Sequence, residues 1–369
     1  MYTKKEYLKH GLLFLATLIT ATLAGGEWLY GKSLIAGGEN ALTIEYFFKS
    51  LHFSIPFIGI LLIHELGHLL TSIHHKVKSS LPYFIPGWLV IAPSLGTFGA
   101  IISMKSFVNS RKKYFDIGVA GPLAGFIIAL FVLGYGFTHL PDADYIYQIH
   151  PEYLDPEFQG HSEEEGYLNL EMGYNLLFYG MEKLLADPEK MPNMSEIIHF
   201  PYLFAGYLAL FFTALNLLPI GQLDGGHVVF GLFPKRHKEI SLVFYTAFVF
   251  YAGLGILNPF DDLNSLIISI PLYIGFLYIC YRKASLENQT KWMIILLIAS
   301  SQYTLVYLFP GFQGYSGWLL FAFLLGRIMG LEHPEVNGFK ELNGNRKIIG
   351  WIAIVIFFLC FTPQPFQIG

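Results

Sequence analysis

Three polar residues stand inside an otherwise apolar run: His64, Glu65 and His68, in the order His64-Glu65-Leu66-Gly67-His68. On an α-helix, four residues advance about 400° and about 6 Å. The two imidazoles therefore share one face, one turn apart, and can bind the same metal ion. Glu65, angularly adjacent, can reach a metal-held water as general base. Zn²⁺ at sites of this kind keeps three protein ligands and one open position. Two histidines and a carboxylate in a spanning helix cost several kcal/mol unless they have partners. A buried His–Glu hydrogen-bonding network is the bland alternative to a metal centre.

A third ligand is needed from elsewhere in the chain. Asp224 is a lone carboxylate in an apolar setting, within Asn216-Leu217-Leu218-Pro219-Ile220-Gly221-Gln222-Leu223-Asp224-Gly225-Gly226. Pro219 and Gly221 open the helix, and Gly225 and Gly226 permit close packing. A carboxylate opposite two imidazoles completes a His₂Asp set. The competing reading is that Asp224 merely caps the following helix.

The elements that must position these groups are membrane helices. The 369 residues are 54% hydrophobic and only 14% charged, with a mean hydropathy of +0.49. A soluble domain carries about 25% charged residues. Apolar runs long enough to cross a bilayer recur near 8–24, 52–73, 115–139, 198–218, 239–257, 265–281, 291–309, 315–329 and 347–362. The expected fold is an all-α polytopic membrane protein of about nine transmembrane helices. The first run resembles a signal peptide in outline, but the spans that follow favour an uncleaved helix. Cys280 and Cys360 both lie in apolar runs, which argues against a disulfide or redox motif. No feature points to nucleic acid.

The stretch 81–104 is the exception. It carries Pro82, Pro86, Pro93, Gly87, Gly96 and Gly99, which break helices, and basic residues flank both ends: Lys76 and Lys78 before it, Lys105, Arg111, Lys112 and Lys113 after it. A crossing would strand one basic group outside. A re-entrant, β-hairpin-like segment satisfies both facts, lining a cavity where irregular backbone is tolerated. The N-terminus, with Lys4, Lys5 and Lys9, then lies in the cytoplasm, and the active site faces that side. The loop 140–197 falls outside, with 13 Asp or Glu against two Lys. It reads either as a solvated cap with a short amphipathic helix over Tyr174–Leu185, or as a screen for substrates.

His64–His68 together with Asn216-x-x-Pro219-x-x-x-x-Asp224-Gly225 resembles the site-2 protease family of intramembrane metalloproteases. Gly121-Pro122-Leu123-Ala124-Gly125, Gly96-Thr97-Phe98-Gly99 and Phe204-Ala205-Gly206-Tyr207 are similar to runs typical of that family. The wording Gly221-Gln222-Leu223-Asp224 is similar to the branch of chloroplast members and their bacterial relatives. His333-Pro334 resembles that branch too, with Glu335 where a second proline is usual. The resemblance covers roughly 50–240.

It implies that His64, His68 and Asp224 ligate Zn²⁺ and that Glu65 is the catalytic base. It also implies that Asn216 stabilises the oxyanion or orients the substrate, although an Asn in a helix equally hydrogen-bonds a neighbouring helix. The implied substrates are single-span membrane proteins within the lipid bilayer. The implied organisation is an N-terminal helix and loop over 1–51, a catalytic membrane core over 52–240 and C-terminal membrane helices over 241–369. The implied location is a bacterial cell membrane.

A substrate helix hides its carbonyls in i→i−4 bonds, so it must unwind. Thr97, Ala100, Ile101 and Ile102 form a strand-prone edge onto which an unwound segment can add. The rival classes are a divalent-metal transporter, which would spread ionisable groups along facing helices, and a non-catalytic membrane scaffold. His52, His74, His75 and His227 read as interfacial or structural residues, and Asp116 as a helix cap or water-facing group.

Overall fold

The structure is a computed structural model that describes residues 2–89, 94–106, 108–155, 170–334, 336 and 341–368. The acidic run within 156–169, Pro93 and Glu335 lie outside the described residues. Two compact units make up the chain. The first comprises Met1–Val108, Asp116–Asn216 and Ile352–Gly369; the second comprises Asn109–Phe115 and Leu217–Trp351.

In the first unit, helix α1 (Lys4–Tyr30) opens on a capping box. Thr3 accepts from the Glu6 amide, and Glu6 accepts from the Thr3 amide at 2.8 Å. Helix α2 (Ile44–His74) starts at the Thr43 cap, well before the apolar run, and continues through Pro56. The chain then forms an antiparallel hairpin, β1 (Tyr83–Gly87) and β2 (Gly96–Ile101), with Tyr83 opposite Ile101 and Gly87 opposite Gly96. Helix α3 (Arg111–Thr138) runs through Pro122. Beyond it lie a short α4 (Tyr145–Ile149), strand β3 (Leu170–Met172), the amphipathic α5 (Leu176–Leu185) capped by Asn175, and α6 (Pro201–Leu217).

The hairpin is fastened along α1 by polar contacts spread over most of that helix. The His10 ring meets the Pro82 carbonyl at 2.9 Å, Thr20 donates to the Gly96 carbonyl at 2.6 Å, and Trp28 Nε1 donates to the Ser94 carbonyl at 2.8 Å. From His10 to Trp28 is about 27 Å of helix. Gly96 has φ +73°, and a side chain there would collide with the backbone of Thr20 and Ala21. The hairpin base continues to Lys105, whose amide donates to the Lys78 carbonyl at 2.7 Å. At this same end Lys105 pairs with Glu6 at 3.3 Å, so the N-terminal lysines and the basic flanks of the hairpin share one end of the unit.

In the second unit, α7 (Asp224–Leu232) and α8 (His237–Ala252) precede α9 (Leu263–Tyr281) and α10 (Asn288–Leu308). Helix α11 (Trp318–Leu324) passes into one π turn, and α12 (Gly344–Cys360) begins in this unit and from Ile352 belongs to the first. Buried hydroxyls and amides link these helices. Tyr245 donates to the Ala322 carbonyl at 2.9 Å, and Tyr273 donates to Gln302 at 3.0 Å. Such polar links hold helices where lipid supplies no hydrophobic force between them. Within the first unit the chain end returns as β4 (Phe366–Ile368), paired with β3. That pairing spans nearly 200 residues and has no local sequence signal.

Every apolar run noted in the sequence falls on a helix. Five of them, α1, α2, α3, α9 and α10, are long and apolar enough to cross a membrane by length and composition. The chain is an integral membrane protein on this ground, mostly helical, with small antiparallel pairs rather than purely α. Cys280 and Cys360 are buried and unpaired.

Candidate metal centre

Helix α2 presents His64, Glu65 and His68 in its C-terminal half, all buried, with 7%, 8% and 9% exposure. The two Nε2 atoms converge to 3.1 Å. His68 Nδ1 lies 2.7 Å from the Ile117 carbonyl on α3. A carbonyl only accepts, so Nδ1 carries the proton and Nε2 presents a lone pair. Metal-ligating histidines are oriented in this way by a second hydrogen bond. The donor set fits a zinc ion: two imidazole nitrogens at about one tetrahedral edge, on a rigid helix, in a low-dielectric setting.

The approach of α3 depends on missing side chains. A Cβ at Gly121 would collide with the His68 ring, and one at Gly125 would press on His64 at 3.1 Å. In return, a Cβ at Gly67 would sit 2.6 Å from the Ala120 carbonyl oxygen. The Gly121-Pro122-Leu123-Ala124-Gly125 run thus supplies a flat surface against which the histidines lie. Its role was invisible in the sequence, where only the wording of the run drew notice.

Asn216, on α6, shares a small cavity with His64, lined also by Phe57, Leu61, Gly125 and Thr213. Asp224 belongs to the second unit. The helix stops at Leu217 and restarts at Asp224, as Pro219 and Gly221 imply. Gly221 adopts φ +56°, and side chains at Gly225 and Gly226 would run into the carbonyls of Leu217 and Gly221. Asp224 is the first helical residue of α7, half-buried; the cap position belongs to Leu223. A capping role does not explain the aspartate.

Thr97, Ala100 and Ile101 lie on β2, and Ile102 follows its last residue. Thr97 is buried and donates to the Ile85 carbonyl at 3.0 Å, whereas Ile101 is 56% exposed. Other histidines named in the sequence meet polar partners. His52 meets the Tyr202 hydroxyl at 2.8 Å, and His75 meets Asp116 at 2.8 Å, so Asp116 ties α3 to the end of α2 instead of capping its own helix. His227 and His333 are linked at 2.8 Å, with Tyr114 stacked on the former and Phe230 on the latter.

The model of peptidase family M50 matches residues 52–259, more than half of the chain. The chain belongs to peptidase family M50, the site-2 protease family of metalloproteases. It is 37% identical over 182 residues to probable zinc metalloprotease EGY1, chloroplastic, of Arabidopsis thaliana, covering 48% of this chain and 29% of that protein. The EGY1 protein of Oryza sativa subsp. japonica is 34% identical over 200 residues, 53% of this chain and 29% of the relative. Probable zinc metalloprotease EGY2, chloroplastic, of Arabidopsis thaliana is 28% identical over 177 residues, 48% and 28% respectively. The matched segment thus spans less than a third of these relatives.

Proposed function

We propose that the chain is a zinc-dependent intramembrane protease, hydrolysing peptide bonds within or near transmembrane segments of single-span membrane proteins. The observation that carries this is the His64–His68 pair on α2, its second imidazole fixed by the Ile117 carbonyl, in a chain of family M50. His64, His68 and Asp224 would hold the ion. Bound there, zinc lowers the pKa of a water and polarises a carbonyl. Glu65 takes the proton from the attacking water and later returns it to the leaving amine. Asn216, at the cavity beside His64, donates to the developing oxyanion. A substrate segment, once unwound, adds to the outer edge of β2 at Thr97, Ala100, Ile101 and Ile102.

We place all nine apolar helices in the bilayer, with 52–240 as the catalytic core between the segments 1–51 and 241–369. A shared end for the N-terminal lysines and the hairpin base supports one common face for these basic groups, with the metal centre nearer to it. The relatives that match are named chloroplastic, which weighs toward a chloroplast-type membrane and away from the bacterial cell membrane expected from the sequence. The comparisons give no support to a cytoplasmic N-terminus, nor to a transporter or scaffold.

The deciding experiment compares wild type with Glu65→Gln in membranes, by mass spectrometry of single-span proteins. The variant retains its zinc and accumulates uncut substrates, with turnover lowered by roughly 10²–10⁴-fold, the usual contribution of a general base. Equal cleavage by both forms would refute the protease reading.

A further inference from the structure

A second set of imidazoles converges at the opposite end of the first unit. His150, between α4 and a following 3₁₀ turn, and His199, just ahead of α6, bring their Nε2 atoms to 3.1 Å. The other nitrogen of each ring is already committed. His199 Nδ1 lies 2.7 Å from the Leu29 carbonyl at the end of α1, and His150 Nδ1 lies 2.8 Å from the Glu152 carboxylate. A carbonyl and a carboxylate are acceptors, so both Nδ1 atoms carry their protons. With Nδ1 of each ring committed in this way, it is the two Nε2 atoms that face each other, at 3.1 Å.

Glu196 completes the set. Tyr153 donates to its Oε1 at 2.9 Å, which orients the carboxylate. Its Oε2 is buried without a hydrogen-bond partner and lies 3.6 Å from His199 Nε2. One donor atom from each of His150, His199 and Glu196 lies within 4.8 Å of the other two. A tetrahedral ion with bonds of about 2.0–2.1 Å has ligand–ligand edges of about 3.3–3.4 Å, which the 3.1 and 3.6 Å separations bracket. His199 is 7% exposed, whereas the His150 side chain is 28% exposed, leaving the site a way in from solvent.

We infer that His150, His199 and Glu196 form a second site for a divalent transition-metal cation, of the zinc class, separate from the centre on α2. Imidazole nitrogens with one carboxylate select such ions over calcium or magnesium, which prefer all-oxygen shells. Glu152 and the Leu29 carbonyl provide the outer hydrogen bonds that orient ligating histidines. Leu29 adjoins Tyr30, whose ring packs against Tyr46 at 5.1 Å. From Tyr46 to His64 is about 27 Å along α2, too far for a shared ion. The role is structural: the ion ties the segment after α3 and the entry to α6 to the end of α1.

The test is metal stoichiometry of the full-length protein purified in detergent, loaded with zinc, dialysed, and measured by elemental mass spectrometry. Wild type should hold about two zinc ions per chain, and His150→Ala about one, as the loss of one three-ligand site requires. Glu196→Gln, which keeps size and the Tyr153 contact, should lose the same ion, so misfolding of one variant does not decide the matter. In a His64→Ala/His68→Ala background the remaining ion should persist and disappear on adding Glu196→Gln. Identical zinc content in wild type, His150→Ala and Glu196→Gln would overturn the site and leave a proton-shared imidazole pair. Failure of the protease reading would appear instead as unchanged cleavage in Glu65→Gln, with this count unaffected.

Discussion

The imidazole of His68 donates its Nδ1 proton to the backbone carbonyl of Ile117 across 2.7 Å, from α2 to α3. This one bond sets the tautomer, turns Nε2 toward His64, and makes the position of α3 part of the candidate metal centre. The spacing of α2 and α3 then becomes a chemical variable, and glycines control it.

Gly121→Ala places a methyl group against the His68 ring. Overpacking of this kind costs about 1–3 kcal/mol, and disturbing an outer-shell partner lowers metal affinity by about 10–100-fold. Competition with a chromophoric chelator should show that loss. Gly134→Ala, on the same helix with open space around it, should bind zinc like wild type.

Asn216→Ala separates two roles for the amide. As an oxyanion donor at the cavity beside His64, its loss lowers kcat by about 10²–10³-fold with KM and zinc content unchanged. A purely structural Asn would show a lowered melting temperature with kcat retained in the folded fraction. Steady-state kinetics on a detergent-solubilised substrate, run beside thermal melts, distinguishes the two.

Ile101→Pro removes a backbone donor at the end of β2 and should cut turnover while zinc stays bound, as should Ile102→Pro one residue on. Zinc content and cleavage are measured on the same preparation. Full cleavage in both variants would exclude strand addition at this edge.

Acid should destabilise the protein through His333. Burial pushes its pKa down to about 3 from an ordinary 6.5. Below pH 6.5 the unfolded chain takes up a proton that the folded chain refuses, so stability is full above that value. It declines as pH falls toward about 3, by at most about 1.4 kcal/mol per unit. Thermal melts across this range should show the slope, and His333→Gln should flatten it.

The local chemistry was legible without a structure because it is written at helical spacing. His64 and His68 at i, i+4 must share a face, and Pro219 with Gly221 must end a helix ahead of Asp224. The hairpin over 81–104 followed from its prolines, glycines and basic flanks, and the Tyr174–Leu185 helix from its amphipathic pattern. Tertiary structure decided what depends on partners far apart in the chain. It showed that Gly121 and Gly125 flatten α3 for the histidines, that His75 meets Asp116, and that β4 pairs with β3. It also brought His150 to His199, 49 residues away. Apart from the i, i+4 spacing of Gly121 and Gly125, whose partners it does not name, none of these has a period. Each depends on which backbone carbonyl or ring the packed helices happen to bring within about 3 Å, and a linear pattern carries no record of that.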